Sequence, residues 1–233
     1  MRNTPAPSRS RQIVLLSALI VVVVSAAALQ AVTGPSGGMP DEAPGTIGEG
    51  EPVSWSEVDR LISEQKYEAA SKVVAQMLER ARDEKDAETW TRALVEETKL
   101  RMALHGYETA VRYLKTEPWP DDAVSQAVLE LYFANALTTY ARSYSWEIRQ
   151  RERVETTGEL DLKKWDLEQI VEAADRSFLT LWSNRMEWGS APLGDLSRYI
   201  AQNNYPPRIR GTLRDAVASL WVAMLADSSL WSP

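Results

Sequence analysis

The chain has 233 residues, no cysteine, one histidine and a formal net charge of −7, which excludes disulfide staples, thiol nucleophiles and cysteine–histidine zinc sites. Without Arg2, Arg9, Arg11, Asp41, Glu42, Glu49 and Glu51, 23 basic and 29 acidic side chains remain, a balance that argues against a nucleic-acid partner. Stability must come from a core, and the roughly 180 residues past the N-terminal region suffice, since such a domain buries about 70% of its unfolded surface.

Ile13 to Leu29 form an apolar run interrupted only by Ser17 and Ser25. Ile13, Val14, Leu15, Leu16, Ile20, Val21, Val22, Val23, Val24 and Leu29 are its hydrophobic body. Its length falls between a signal-peptide core of about 7–15 residues and a span of about 20. A cleaved signal and an uncleaved anchor therefore both remain open. Small residues from Ser25 to Ala28 and at Ala31 permit cleavage, and no Cys follows to carry a lipid. Three arginines precede the run and no Lys or Arg lies between it and Arg60, so the positive-inside rule predicts a cytoplasmic N-terminus. The expected division is a cytoplasmic basic arm over 1–12, a signal anchor or signal peptide over 13–31, a Pro/Gly-rich disordered linker over 32–53 and an all-helical domain over 54–233.

Ser54 and Glu57 have capping-box spacing ahead of Trp55, Val58, Leu61 and Ile62, which predicts a first short helix. Tyr67, Ala70, Val74, Met77, Leu78 and Ala81 mark a second. The third runs from Asp86 to Leu104, with Glu97 and Arg101 positioned to pair on its apolar stripe. Gly106 ends it, and Tyr107, Ala110, Val111 and Leu114 open a fourth that Pro118 and Pro120 terminate. Tyr67-Glu68-Ala69-Ala70 and Tyr107-Glu108-Thr109-Ala110 repeat the pattern Tyr-Glu-x-Ala 40 residues apart. This resembles a tetratricopeptide-type helix pair, whose usual period is about 34. The fold class expected is all-α, built of antiparallel helical hairpins in a tetratricopeptide-like or α-solenoid-like domain, with an ordinary helical bundle as the alternative.

Asp121 and Asp122 are placed to cap a long, central fifth helix through Leu129, Phe133, Ala136, Leu137, Tyr140 and Tyr144. A polar loop over Glu152 to Asp161 separates it from a sixth, through Leu167, Ile170, Val171, Ala174, Phe178, Leu181 and Trp182. After Gly189 to Gly194 and Pro206-Pro207, Thr212 and Asp215 offer a capping pair to a last helix through Leu213, Val217, Leu220, Trp221, Met224 and Leu225.

No catalytic, cofactor or metal constellation is evident, and neither enzymatic activity nor a cofactor is expected. His105, before Gly106, reads as a helix C-terminus. Ser63 and Lys66 have the spacing of a serine acyl-transferase nucleophile and base but lack its partner motifs. Asp161, Asp166 and Glu168 read as helix-start acids. Arg149, Arg151 and Arg153 read as a solvated helix end, while Arg208, Arg210 and Arg214 either meet an anionic partner or pair with Asp215 and other helices.

In order, Trp55, Leu61, Tyr67 and Ala70, then Ser145-Trp146-Glu147-Ile148 with Arg151 and Arg153, then Asp161 and Trp165-Asp166, then Asn204-Tyr205 through Arg210-Gly211-Thr212-Leu213-Arg214-Asp215 resemble the helical N-terminal region of large bacterial alpha-2-macroglobulin family proteins. Tyr205, Arg210, Thr212, Leu213 and Asp215 form the most specific block. The resemblance implies the anchored, non-catalytic front of an envelope protease trap. It faces the periplasm from the inner membrane, or is secreted there if the signal is cleaved. Its partners would be proteins, including proteases met through downstream domains. The family's β-sandwich domains, bait and Cys-Gln thioester have no counterpart residues here. A stand-alone periplasmic scaffold is the alternative.

Overall fold

A computed structural model describes residues 53–154, 160–201 and 204–231. The basic arm, the 13–31 segment and all of the expected linker but Val53 lie outside the described residues, as do positions 155–159 of the expected loop.

The described chain is mostly helical. Its order is α1 (Trp55–Ser63), α2 (Tyr67–Glu84), α3 (Ala87–Ala103), α4 (Tyr107–Thr116), α5 (Ala123–Ser143), α6 (Ser145–Ile148), α7 (Leu167–Ser183), α8 (Arg185–Trp188), α9 (Pro207–Arg210), α10 (Leu213–Leu225) and α11 (Ser228–Trp231). Among the described residues there is no strand, only an isolated bridge between Pro192 and Thr212. No described helix is long and apolar enough to cross a membrane.

The helix starts follow local chemistry. The Ser54 hydroxyl accepts the Glu57 N–H at the head of α1, and the Glu57 carboxylate is held by Arg60 at 2.6 Å. Asp86 takes the N–H groups of Glu88 and Thr89 at the head of α3, and Asp122 alone caps α5 through Ser125. Asp166 and Gln169 close a reciprocal capping box on α7, as Thr212 and Asp215 do on α10.

The first three helices end in one device. Gln65, Lys85 and His105, twenty residues apart in succession, are left-handed at φ 59, 55 and 59. At each, the next residue's N–H reaches back: Lys66 to the Leu61 carbonyl, Asp86 to Ala81 and Gly106 to Arg101, at 2.9, 2.9 and 2.8 Å. These are Schellman closures. The positive φ falls on His105, not Gly106, which instead serves close approach: a Cβ there would meet the Thr109 Oγ1 at 2.6 Å.

Consecutive helices from α1 to α5 pack on one another, and α5 also meets α3, α7 and α8. The small residues of the repeated motif, Ala70 and Ala110, are fully buried, while Tyr67 and Tyr107 pack partly buried against the core. Residues are buried all around α5, including Leu129, Leu131, Phe133, Leu137 and Tyr140, the pattern of a helix enclosed by its neighbours. One core cluster extends from Val58 to Leu230. Glu97 lies within its margin because Arg101 and the Ser71 hydroxyl hold its carboxylate, at 2.8 and 2.6 Å. The tryptophans join helix edges through their N–H groups: Trp90 to the Pro118 carbonyl, Trp119 to Leu114, Trp221 to the Asp175 carboxylate and Trp231 to Met224.

Candidate functional site

The block from Tyr205 to Asp215 folds as a fastening. The Arg210 guanidinium lies over the Tyr205 ring at 4.2 Å, and Leu213 is fully buried. The Leu213 N–H donates to the Ala191 carbonyl at 2.9 Å, and Leu193 returns a bond to Gly211 at 2.8 Å. Asp215 accepts from both the Thr212 N–H and its hydroxyl, so its carboxylate serves the cap rather than an arginine pair. A Cβ on Gly211 would sit 2.0 Å from the Pro207 carbonyl oxygen, so the turn has no room for a side chain.

The other singled-out residues have partners of their own. The Ser63 hydroxyl donates to the Arg60 carbonyl at 2.7 Å, and Lys66 pairs with Glu64 at 3.0 Å. Asp161 pairs with Lys164, and Glu168 pairs with Arg153. Among the described residues no group of three His, Cys, Asp or Glu side chains could hold a metal ion. Arg151 is not part of a solvated helix end. Its guanidinium donates to the Leu162 and Trp165 carbonyls at 2.7 and 3.0 Å and to Glu147 at 2.7 Å, tying the end of α6 to the segment before α7.

A cleft of about 530 Å³ lies among the described residues, within the usual volume range of small-molecule sites. Arg112, Lys115 and Thr116 of α4 form one wall, and Ala173, Arg176, Ser177 and Thr180 of α7 the other. Glu130 and Phe133 of α5, with Leu160 and Trp165, complete the lining. Two smaller hollows, of about 230 and 100 Å³, also border Glu130, so this carboxyl is common to all three.

Charge in the cleft is uneven. Arg112 is bound to Glu108 at 2.6 Å, and Arg176 reaches Glu172 only at 3.7 Å. Lys115 has no carboxylate within ion-pair distance among the described residues, and its ammonium sits 5.6 Å from the centre of the Phe133 ring. Burial pushes the Glu130 carboxyl above the usual range, with the Ser177 hydroxyl and the Lys115 charge pulling it partly back. Trp165 is 8% exposed, and its indole N–H has no hydrogen-bond partner among the described residues. The Arg112–Glu108 and Arg176–Glu172 pairs have local i,i+4 spacing, but the cleft joins residues of α4, α5 and α7, which periodicity could not have brought together. Comparison with protein-family models, curated proteins and solved structures gives no match for the chain.

Proposed function

We propose that the chain is the non-catalytic, helical N-terminal region of an alpha-2-macroglobulin-like protein of the bacterial envelope, tethered to the inner membrane or delivered to the periplasm through residues 13–31. The inhibitory apparatus of such a protein would reside in other domains. The observation that carries this reading is the construction of the closing block. Tyr205, Arg210, Thr212, Leu213 and Asp215, the residues of the family-like pattern, are joined by a stacked pair, a capping box and a buried leucine. Such a unit would brace the start of α10 against the segment after α8.

A second reading is favoured by the left-handed turns at Gln65 and His105, 40 residues apart like the Tyr-Glu-x-Ala motifs they precede. It makes the chain a stand-alone, tetratricopeptide-like scaffold for protein partners, since stacked helix pairs present extended surfaces.

An immunoblot of fractionated bacterial cells, with antiserum against residues 54–233, separates the two. The first reading expects a membrane-associated band far above the 26.1 kDa of this sequence. A band at or below that mass overturns it in favour of the scaffold.

A further inference from the structure

A helix that is apolar on every side is ordinarily enclosed by its neighbours, as α5 is. The helix α10 is not. From Ala216 to Ala226 it carries no charged residue, yet its main contacts are with α7 and α8 alone, and Val222 and Leu225 stand 64% and 48% exposed. The other end of the helix array is finished differently. There α1 rests on α2, and its outward positions Ser56, Asp59, Arg60 and Ser63 are polar. A stack of helices needs a polar outer face at each end to remain a single copy in solution, and the α10 end lacks one.

The second observation is the placement of charge along this face. Arg214, Ala218, Val222 and Leu225 follow at helical spacing and so form one stripe. Arg214, at its start, is exposed, and no described carboxylate pairs with its guanidinium. The far end of α10 carries the negative pole of the helix dipole and, one residue past the C-cap, Asp227, which Arg142 holds at 2.8 Å. The face is therefore positive at one end, negative at the other and apolar between. Turned end for end, it is complementary to itself. A lipid surface would accept the apolar middle but offers the two charged ends no fixed partners.

We infer that two copies of the chain associate through α10 in an antiparallel, two-fold pair. Val222 of each copy packs near Ala218 of the other, and each Arg214 lies beside the other copy's helix C-terminus and its Asp227. Because the α1 ends are polar, the association closes at two copies. The inference is independent of the anchoring role, which stands or falls on the immunoblot.

The test is crosslinking of the full chain, purified in a neutral detergent, with single cysteines introduced where there are none. Val222→Cys lies near the two-fold axis, and Gln76→Cys, exposed on α2, is the control. A short bismaleimide is expected to join Val222→Cys into a species of about twice 26.1 kDa on a denaturing gel and to leave Gln76→Cys single. Arg214→Glu should weaken the association about tenfold, read from the Val222→Cys yield against concentration, because the contact occurs twice in a two-fold pair. Leu225→Asp should abolish it. Both substitutions are at exposed positions, and circular dichroism checks that each variant keeps its helices. Three results overturn the inference. Val222→Cys stays single, as it would if detergent or residues 1–52 covered the face; both cysteines crosslink equally, which reports crowding in the micelle; or neither substitution changes the yield.

Discussion

The Trp221 indole N–H donates to the Asp175 carboxylate at 2.7 Å, joining α10 to α7 across 46 residues of sequence. The same ring stacks on Phe178, at 6.1 Å and nearly parallel. The bond lies at the edge of the core, where both groups are half-buried. Asp175→Ala leaves the N–H without its charged acceptor, and an expected loss of about 1–2 kcal/mol is read from the urea midpoint. An unchanged midpoint contradicts a stabilising role for this bond.

Arg151 is a heavier case. One guanidinium serves two carbonyls, a carboxylate and the Tyr140 hydroxyl, a geometry that lysine's single ammonium cannot reproduce. Arg151→Ala is expected to cost about 2–4 kcal/mol, and Arg151→Lys most of that. Denaturant unfolding followed by tryptophan emission measures both.

The three left-handed turns predict the opposite sign. An L-residue at positive φ costs about 1–2 kcal/mol, whereas glycine pays only its larger unfolded-state entropy. Gln65→Gly, Lys85→Gly and His105→Gly should therefore each stabilise by about 0.5–1 kcal/mol. Thermal melts of the single and triple variants check the size and additivity of the gains.

Gly211→Ala is predicted to destabilise, by about 1–3 kcal/mol, because the added Cβ meets the Pro207 carbonyl oxygen. Loss of the fastening after α8 would show as faster amide exchange at Leu193 and Leu213, whose N–H groups it orders.

Stability should vary with pH through Glu130. Its folded-state pKa is raised by burial, so the native protein holds this proton more tightly than the unfolded chain. Stability from this group is fully present below the unfolded value and is lost as pH rises through the folded one. Asp86, lowered chiefly by hydrogen bonds from Thr89, and Asp227, lowered by Ser229 and Arg142 against its desolvation, act in reverse. Their contributions are present at neutral pH and lost on acidification. Glu130→Gln is therefore expected to stabilise at pH 7, with the gain vanishing below about pH 4. Urea midpoints across that range test it, and a gain that persists at low pH contradicts the assignment.

Most of the long helices were legible because they show a buried stripe at helical spacing, and the caps at Ser54, Asp122 and Thr212 because the residue type announces them. Other features depend on partners distant in sequence. Nothing near Tyr132 indicates that its hydroxyl donates to the Tyr199 carbonyl at 2.6 Å. Arg151 sits in a polar, arginine-rich stretch that reads as solvated until Leu162 and Trp165 are brought beside it. Helices α6, α8, α9 and α11, at four residues each, are too short to show periodicity. The cleft at Glu130 arises only where α4, α5 and α7 meet. In the family-like block, the capping spacing was readable but the stacking of Arg210 on Tyr205 was not.

The central claim, that the helical domain faces the far side of the inner membrane, is open to a clean chemical test because the chain has no native cysteine. Met186 is 82% exposed on α8, so Met186→Cys introduces one accessible thiol. A membrane-impermeant maleimide added to intact bacterial spheroplasts should label the anchored chain, or the periplasmic fraction if residues 13–31 are removed. Labelling that appears only after the inner membrane is lysed would place the domain in the cytoplasm and contradict the account.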